Sequence, residues 1–236
     1  MTCCTGPCAA AAHFNPKKAE RDLRRYQRRG PDLTTRLILE ELRRWPLQGL
    51  HLLDVGGGIG VIAMELASAG LASITFADAS AGYLEAARRH LASRGASRAA
   101  QFFLGDFATT ADSLPDADVV TLDRVVCCYP DVEALLRGAA ARARRMVSFT
   151  YPRDTWYVRA AVVLENSWYW LRRDPFRAFV HSPERMASVL ESSGFVRAAR
   201  HTTLQWTLDL YRRARHPSDT EAQFTPANLE RRAKYA

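Results

Sequence analysis

Residues 52–60 read LLDVGGGIG, and the rest of the chain is interpreted from this stretch. The apolar residues before the glycines predict a strand buried on both faces, and residues 61–67, VIAMELA, predict a helix directly after them. A strand, a glycine turn and a helix bring the backbone close to a nucleotide-like ligand at the carboxyl end of a parallel strand. Because a β-carbon at Gly56, Gly58 or Gly60 would hold such a ligand away, the glycines predict a ligand site.

Each of the next three predicted strands is also followed by an aspartate. The strands and their acids are residues 72–77 with Asp78, residues 100–104 with Asp106, and residues 117–122 with Asp123. Asp78 stands 20 positions after Gly58, where a carboxylate can accept hydrogen bonds from a ribose diol. For each acid the alternative role is that of a helix cap or turn residue.

The spacing of the glycines distinguishes between two cofactors. A dinucleotide fingerprint requires Gly or Ala three positions after its second glycine, and here Val61 occupies that position. Gly60 instead completes Gly-x-Gly-x-Gly, and Asp54 precedes the turn by two positions. This ordered set of motifs, over about residues 46–213, resembles the class I S-adenosylmethionine-dependent methyltransferases.

The resemblance implies S-adenosyl-L-methionine as the cofactor and S-adenosyl-L-homocysteine as its product. The cofactor-binding residues that it implies are Asp54, Gly56, Gly58, Gly60, Asp78, Ala79, Asp106, Phe107 and Asp123. Of these, Asp54 and the glycines would face the methionine part, Asp78 the ribose hydroxyls and Ala79 the adenine. Asp106 would accept from the adenine amino group, Phe107 would cover its ring, and Asp123 would line the centre where donor and acceptor meet.

Residues 122–130, LDRVVCCYP, are similar to the acceptor-side stretch of the magnesium-protoporphyrin O-methyltransferases. Those enzymes methylate a carboxylate on a flat tetrapyrrole, and some have histidine where this chain has Cys128. The candidate catalytic residues implied by the resemblance are Tyr26, Arg124, Cys128 and Tyr129. Packing of its helix is an equally good explanation for Tyr26.

The predicted fold is a doubly wound, Rossmann-like sheet of seven strands, in which strands 6 and 7 form the closing antiparallel pair. We expect a flexible, cysteine-containing segment over residues 1–16, basic lid helices over 17–46, the methyltransferase domain over 47–213 and a basic tail over 214–236. Within the domain, the aromatic-rich residues 153–180 predict a helical insertion after strand 5. Three adjacent aromatics, residues 168–170, cannot all face inward on one helix. We therefore favour a cap over a bulky acceptor above additional core.

Length and composition favour a single globular domain in the cytoplasm. The 236 residues are 47 % hydrophobic and 25 % charged, and neither a membrane-spanning run nor a secretory signal is evident. The net charge of +8 is concentrated at the ends: residues 1–45 carry 10 basic and 5 acidic residues, and residues 210–236 carry 6 and 3. Solvated helix faces explain this better than a basic rim for RNA.

The five cysteines predict no complete metal site. Cys3, Cys4 and Cys8 lack a fourth ligand at zinc-site spacing, so reduced thiols are expected. The adjacent pair Cys127 and Cys128 is compatible with a buried structural role, with thiol or metalloid chemistry, or with a polar role beside the acceptor. Methyl transfer from a sulfonium requires no metal.

Three functions are compatible with these patterns. The leading one is transfer of a methyl group to a small-molecule acceptor, preferably an oxygen on a bulky or planar substrate. The second is RNA methylation guided by the basic ends, which no added RNA-binding module supports. The third is a non-catalytic, cofactor-binding regulator. The sequence makes no prediction of oligomeric state.

Overall fold

The computed structural model describes Ala9, residues 12–95 and residues 100–214. Cys3, Cys4, Cys8 and all but the first residue of the predicted tail lie outside this range. No helix within it is long and apolar enough to cross a membrane.

Seven strands form one sheet in the order β3-β2-β1-β4-β5-β7-β6. They are β1 His51–Val55, β2 Ser73–Asp78, β3 Ala100–Leu104, β4 Ala117–Leu122, β5 Ala143–Pro152, β6 Phe195–Thr202 and β7 Trp206–Arg213. The first five strands are parallel, and β7 is antiparallel to both β5 and β6. The predicted doubly wound fold with its closing antiparallel pair is confirmed.

Eight α-helices connect or precede the strands in the described residues. They are α1 Pro16–Arg29, α2 Leu33–Leu42, α3 Val61–Leu66, α4 Ala81–Ser93, α5 Phe107–Thr110, α6 Val132–Arg142, α7 Trp156–Leu171 and α8 Pro183–Ser192. Helix α8 begins at a capped turn, since the Ser182 hydroxyl accepts from the Arg185 N–H at 3.2 Å and Pro183 is the first helical residue.

Each face of the sheet has its own hydrophobic core. On one face, α6 and α8 bury leucines and valines against the side chains of Phe149, Tyr151 and Tyr211. On the other face, α2, α3 and α4 pack against Leu52, Phe76 and the last strand. This arrangement follows from β1 and β4, whose side chains are buried on both faces, as central parallel strands require.

The two N-terminal helices have different positions. Helix α2 completes the second core, whereas α1 packs on α4 through a small cluster that contains Ala19, Ile59 and Tyr83. Helix α1 therefore lies over the carboxyl ends of β1 and β2, where the lid was predicted.

The insertion after β5 is a single long helix, α7, followed by non-helical residues 172–182. Val158 is the one buried residue of α7. Tyr169 is turned inward, while the neighbouring Trp168 and Trp170 remain exposed. The prediction that residues 168–170 cannot all face inward is thus confirmed.

Candidate active site

A cavity of about 630 Å³ opens at the carboxyl ends of the central strands. Strand β1 pairs with β2 on one side and β4 on the other, so the cavity lies where the strand order reverses. This switch point is the usual ligand crevice of an open α/β sheet. The predicted residues in its wall are Gly56, Gly58, Asp78, Ala79, Phe107, Asp123, Arg124, Cys128 and Tyr129.

The glycine turn forms the base of the cavity in a conformation that other residues rarely adopt. Gly56 and Gly58 have φ values of +58° and +57°. A β-carbon on Gly56 would lie 2.5 Å from Cγ2 of Val125, so the absence of a side chain is also a packing requirement. Gly60, with φ +79°, begins α3 and faces Phe76 and Leu91 rather than the cavity. The ligand contact predicted for Gly60 is therefore replaced by a structural role.

Asp54 lies beneath the turn and does not line the cavity. It is completely buried, and its Oδ1 accepts from the Thr121 hydroxyl at 2.6 Å. Its Oδ2 has no hydrogen-bond partner among the described residues and occupies the space that a β-carbon on Gly57 would need. Burial raises the pKa of Asp54 to about 7. Asp54 supports the turn from below.

Asp78 reaches the cavity from the end of β2. Its Oδ1 accepts from the Ser80 N–H at 2.8 Å, and its Oδ2 accepts from the Gly58 N–H at 3.3 Å. Burial raises the pKa of Asp78 to about 6, while the two backbone donors act in the opposite direction. A carboxylate has about four lone-pair sites, so both oxygens retain capacity for hydroxyl donors of a ligand.

Asp106 begins α5 and stands just behind the cavity wall. Its Oδ1 accepts from the Ala108 N–H at 3.1 Å and from the Tyr129 hydroxyl at 2.8 Å. Asp106 therefore has the helix-cap role that the sequence left open for each aspartate. Its Oδ2 has no hydrogen-bond partner among the described residues. Phe107 is fully buried and contributes one side of its ring to the cavity. Burial raises the pKa of Tyr129 above its usual range, and the adjacent Asp106 raises it further.

Asp123 is held in position by two threonines. Its Oδ1 accepts from the Thr150 hydroxyl at 2.7 Å, and its Oδ2 accepts from the Thr35 hydroxyl at 2.5 Å. The next residue, Arg124, has a left-handed φ of +59°, which costs a non-glycine residue of order 1–3 kcal/mol. Its Nη1 donates to Asp32 at 2.8 Å. The loop after β4 is thus held by Thr35 of α2, by Thr150 of β5 and by Asp32, the residue before α2.

Tyr26 lies outside the main cavity. It lines a separate cavity of about 90 Å³ behind the glycine turn, where its hydroxyl donates to Glu65 at 2.9 Å and its ring packs edge-on against His90. Burial, followed by the Glu65 hydrogen bond, raises its pKa to about 12. The packing explanation accounts for Tyr26 as the structure places it.

The cysteine pair lies beside the acceptor part of the cavity. The Sγ atoms of Cys127 and Cys128 are 3.8 Å apart, and Cys128 is the more exposed. The hydrogen bond with Cys128, followed by burial, raises the pKa of Cys127 well above its usual range. Cys127 therefore remains a thiol at neutral pH, which favours the structural role over thiolate chemistry.

The far wall contains residues that the sequence patterns did not identify. His13 accepts from the Lys18 ammonium at 2.6 Å through Nε2 and donates to Asp174 at 2.7 Å through Nδ1. This tautomer follows from its partners, since an ammonium only donates and a carboxylate only accepts. The His13 ring also stacks on Phe176, with centroids 4.5 Å apart. We refer to Lys18, His13 and Asp174 as the clasp.

The remainder of this wall is the inner face of α7 together with the β6–β7 turn. The residues that it contributes are Tyr157, Val158, Ala161, Val162, Glu165, Tyr169, Gln205 and Trp206. The i, i+4 spacing of the α7 residues was a usable signal for this face. The clasp joins residues 161 positions apart in the chain, and no local pattern predicts such a contact.

Residues 52–146 match the model of a family described as "Methyltransferase domain". These residues are similar to a methyltransferase domain. This match includes the glycine turn, Asp78, Asp106 and the loop after β4, and it confirms the S-adenosylmethionine-dependent methyltransferase predicted from the sequence. A search of curated proteins finds no match.

Solved structures share the fold of this methyltransferase at low sequence identity. Magnesium protoporphyrin IX methyltransferase from Synechocystis PCC 6803 with bound S-adenosylhomocysteine is 19 % identical, with a TM-score of 0.70 over 88 % of this chain and 99 % of that one. The same enzyme with bound S-adenosylmethionine is 18 % identical, with a TM-score of 0.69 over 91 % and 100 %. The methyltransferase in complex with the Haloferax volcanii Trm112 activator is 17 % identical, with a TM-score of 0.62 over 85 % and 96 %. These similarities agree with the predicted fold and cofactor.

Proposed function

We propose that this methyltransferase transfers the methyl group of S-adenosylmethionine to an oxygen nucleophile of a bulky or planar small molecule. The observation that carries the proposal is a single cavity with two chemically different walls. One wall combines the bare glycine turn with carboxylates, and the other combines aromatic and aliphatic side chains of α7 with Trp206. Its volume of about 630 Å³ lies within the range of roughly 300–1,000 Å³ typical of small-molecule sites.

The carboxylate wall fits the cofactor. Gly56 and Gly58 line the cavity with backbone alone, and Asp78 offers free lone pairs to hydroxyl donors. In the proposal these residues hold the methionine part and the ribose, while Ala79 and Phe107 lie beside the adenine, and Asp106 accepts from its amino group through Oδ2. When bound, S-adenosylmethionine supplies a methyl group already activated on a positively charged sulfur.

The chain's own contribution is orientation and exclusion of water. Fixing an acceptor in line with the methyl group can supply about 7–11 kcal/mol of rate enhancement. The network of Thr35, Thr150 and Asp32 holds Asp123 and Arg124 still at the centre of the cavity. A dry site also favours the reaction, because the positive charge on sulfur disappears as the methyl group moves.

The acceptor is proposed to lie against α7. Tyr157 and Tyr169 face the cavity there, and flat rings suit a planar substrate. Arg124 is the cation best placed for an anionic oxygen, since it lines the cavity and is oriented there by Asp32 at 2.8 Å and by Asp123 at 3.9 Å. An acceptor that is already ionised needs no general base. Cys128 and Tyr129 complete this side, with Tyr129 fixed by Asp106.

The decisive experiment has two stages. Calorimetry with S-adenosylmethionine and S-adenosylhomocysteine measures binding, and donor labelled in its methyl group is then incubated with cell extract. We expect label in a small aromatic or tetrapyrrole-like product, and strongly reduced label with the Asp78→Ala variant as the matched control when the donor is kept below its Kd. Label in RNA would replace the small-molecule proposal, and tight binding without any labelled product would contradict turnover.

A further inference from the structure

The outer face of α7 is apolar, exposed and unpartnered among the described residues. Six of its large apolar side chains are between 52 % and 81 % exposed, whereas a typical surface helix is polar on this side. They are Trp156, Val163, Leu164, Trp168, Trp170 and Leu171.

Most of these side chains share one side of the helix. At 100° per residue, five of them fall within an arc of about 120°, with Trp168 beside it. Along the helix axis, Trp156 lies at the N-terminal end of this face and Trp170 lies near its C-terminal end. Single exposed apolar residues are ordinary, but a contiguous patch of this kind indicates an interaction surface.

Two arginines without an acidic partner among the described residues border the patch, whereas the nearby Asp154 and Asp174 are paired with Arg159 and His13. Arg172 and Arg173 follow directly at the C-terminal end of α7, and the Arg172 guanidinium lies 4.4 Å from the Trp168 ring centroid. Glu165 is the single acid of α7, and it accepts the hydroxyl of Tyr169 on the cavity side. The whole chain carries +8. The patch therefore combines tryptophans with arginines and presents no free acid from its own helix.

We propose that the outer face of α7 binds the surface of an anionic lipid bilayer, with the helix parallel to the membrane plane. Tryptophan and leucine on one face, with arginines beside them, are the composition of helices that lie in the headgroup region. Arginine can extend along apolar surface while its charge reaches lipid phosphates. The cytoplasmic location predicted from the sequence would bring the patch to the anionic inner leaflet.

A second copy of the chain explains the patch less well. The patch supplies six large apolar side chains from a single helix, whereas a stable protein complex uses about 20–30 residues from each partner. A second copy would also bring Arg172 and Arg173 no opposite charge, whereas an anionic bilayer would.

Vesicle flotation with the full chain tests the proposal. Vesicles of phosphatidylcholine alone are compared with vesicles containing an equal part of phosphatidylglycerol, at low and high salt. We expect binding to the anionic vesicles that weakens with salt. The double variant Trp156→Ser/Trp170→Ser should weaken it by about tenfold or more, because both indoles lose their apolar area. Arg172→Gln/Arg173→Gln should remove the preference for phosphatidylglycerol.

The matched control is Leu104→Ser, which alters an equally exposed leucine at the end of the opposite edge strand β3. This variant should bind vesicles like the wild type. Sedimentation velocity without lipid reports the oligomeric state of each variant, and cofactor binding shows whether its fold persists. The proposal is overturned by three results: no binding to either vesicle, unchanged binding by the tryptophan variant, or a lipid-free dimer that the tryptophan variant dissociates. None of these depends on methyl transfer.

Discussion

Replacing Asp54 by asparagine should flatten the pH dependence of folding stability. The pKa of this carboxyl is about 7 in the folded chain against 3.8 for the unperturbed group, and burial is the main cause. Between these values the folded state binds more protons than the unfolded state, so wild-type stability falls as pH rises. Asparagine keeps an acceptor for the Thr121 hydroxyl but carries no charge.

The magnitude follows from the shift of about three units. The raised pKa of Asp54 costs the folded state about 4 kcal/mol at pH 9, where the buried carboxyl is ionised, but only about 1.5 kcal/mol at pH 5, where it keeps its proton. The new amide nitrogen loses a hydrogen bond at every pH, a constant term of about 1–3 kcal/mol. From pH 5 to pH 9, the free energy of unfolding of the variant should therefore rise by roughly 2.5–3 kcal/mol relative to that of the wild type.

Urea unfolding of the cofactor-free protein at pH 5, 7 and 9 measures this difference. Thr121→Val is the companion variant, because the lost hydroxyl normally lowers the pKa of Asp54. Its stability should fall more steeply with pH than that of the wild type. A difference between Asp54→Asn and wild type that stays constant across the three pH values would refute the reasoning.

Three further predictions concern the site. Asp78→Ala should weaken cofactor binding by about 1.5–3 kcal/mol in calorimetry, the scale of a lost charge-assisted hydrogen bond. Wild-type affinity should also decrease as pH falls below about 6, because hydroxyl donors favour the ionised form of Asp78; unchanged affinity in either test counts against the assignment. Tyr129→Phe should cost roughly 1 kcal/mol of thermal stability by removing its bond to Asp106, and an unaltered melting temperature would contradict this. Gly56→Ala should destabilise by about 1–3 kcal/mol, and Val125→Ala in the same chain should recover part of that loss; no recovery would mean that backbone strain, rather than the clash, dominates.

The parts of the site that local patterns predict are those fixed by backbone geometry. Gly56 and Gly58 need positive φ, and Asp78 follows a strand that must end at the same edge as β1, so their convergence could be inferred before any coordinates. Asp106 shows the limit of this reasoning. A residue after a strand and before a helix can cap the helix and serve the ligand, and its position alone does not separate the two roles.

The direction of a side chain is harder to predict from sequence than the path of the backbone. From sequence, Tyr26 can either face the site or pack its helix, and in the structure α1 is rotated so that the ring points toward Glu65 and His90. For residues 168–170 the outcome was better, because three adjacent aromatics exceed the width of any single helix face. The sequence alone shows that three adjacent aromatics cannot share one helix face. It does not show which of two possible faces of a helix points inward, because that depends on contacts with residues far away in the chain.

The clasp has a mechanical consequence. Lys18 belongs to α1, which covers the glycine-turn side of the cavity, and Asp174 belongs to the segment that follows α7 on the opposite side. With His13 bonded to both, the two covers are fastened to each other as well as to the rest of the domain. Exchange of spent donor and release of methylated product would then share one opening movement, so that neither compartment is exposed to water while the other stays shut.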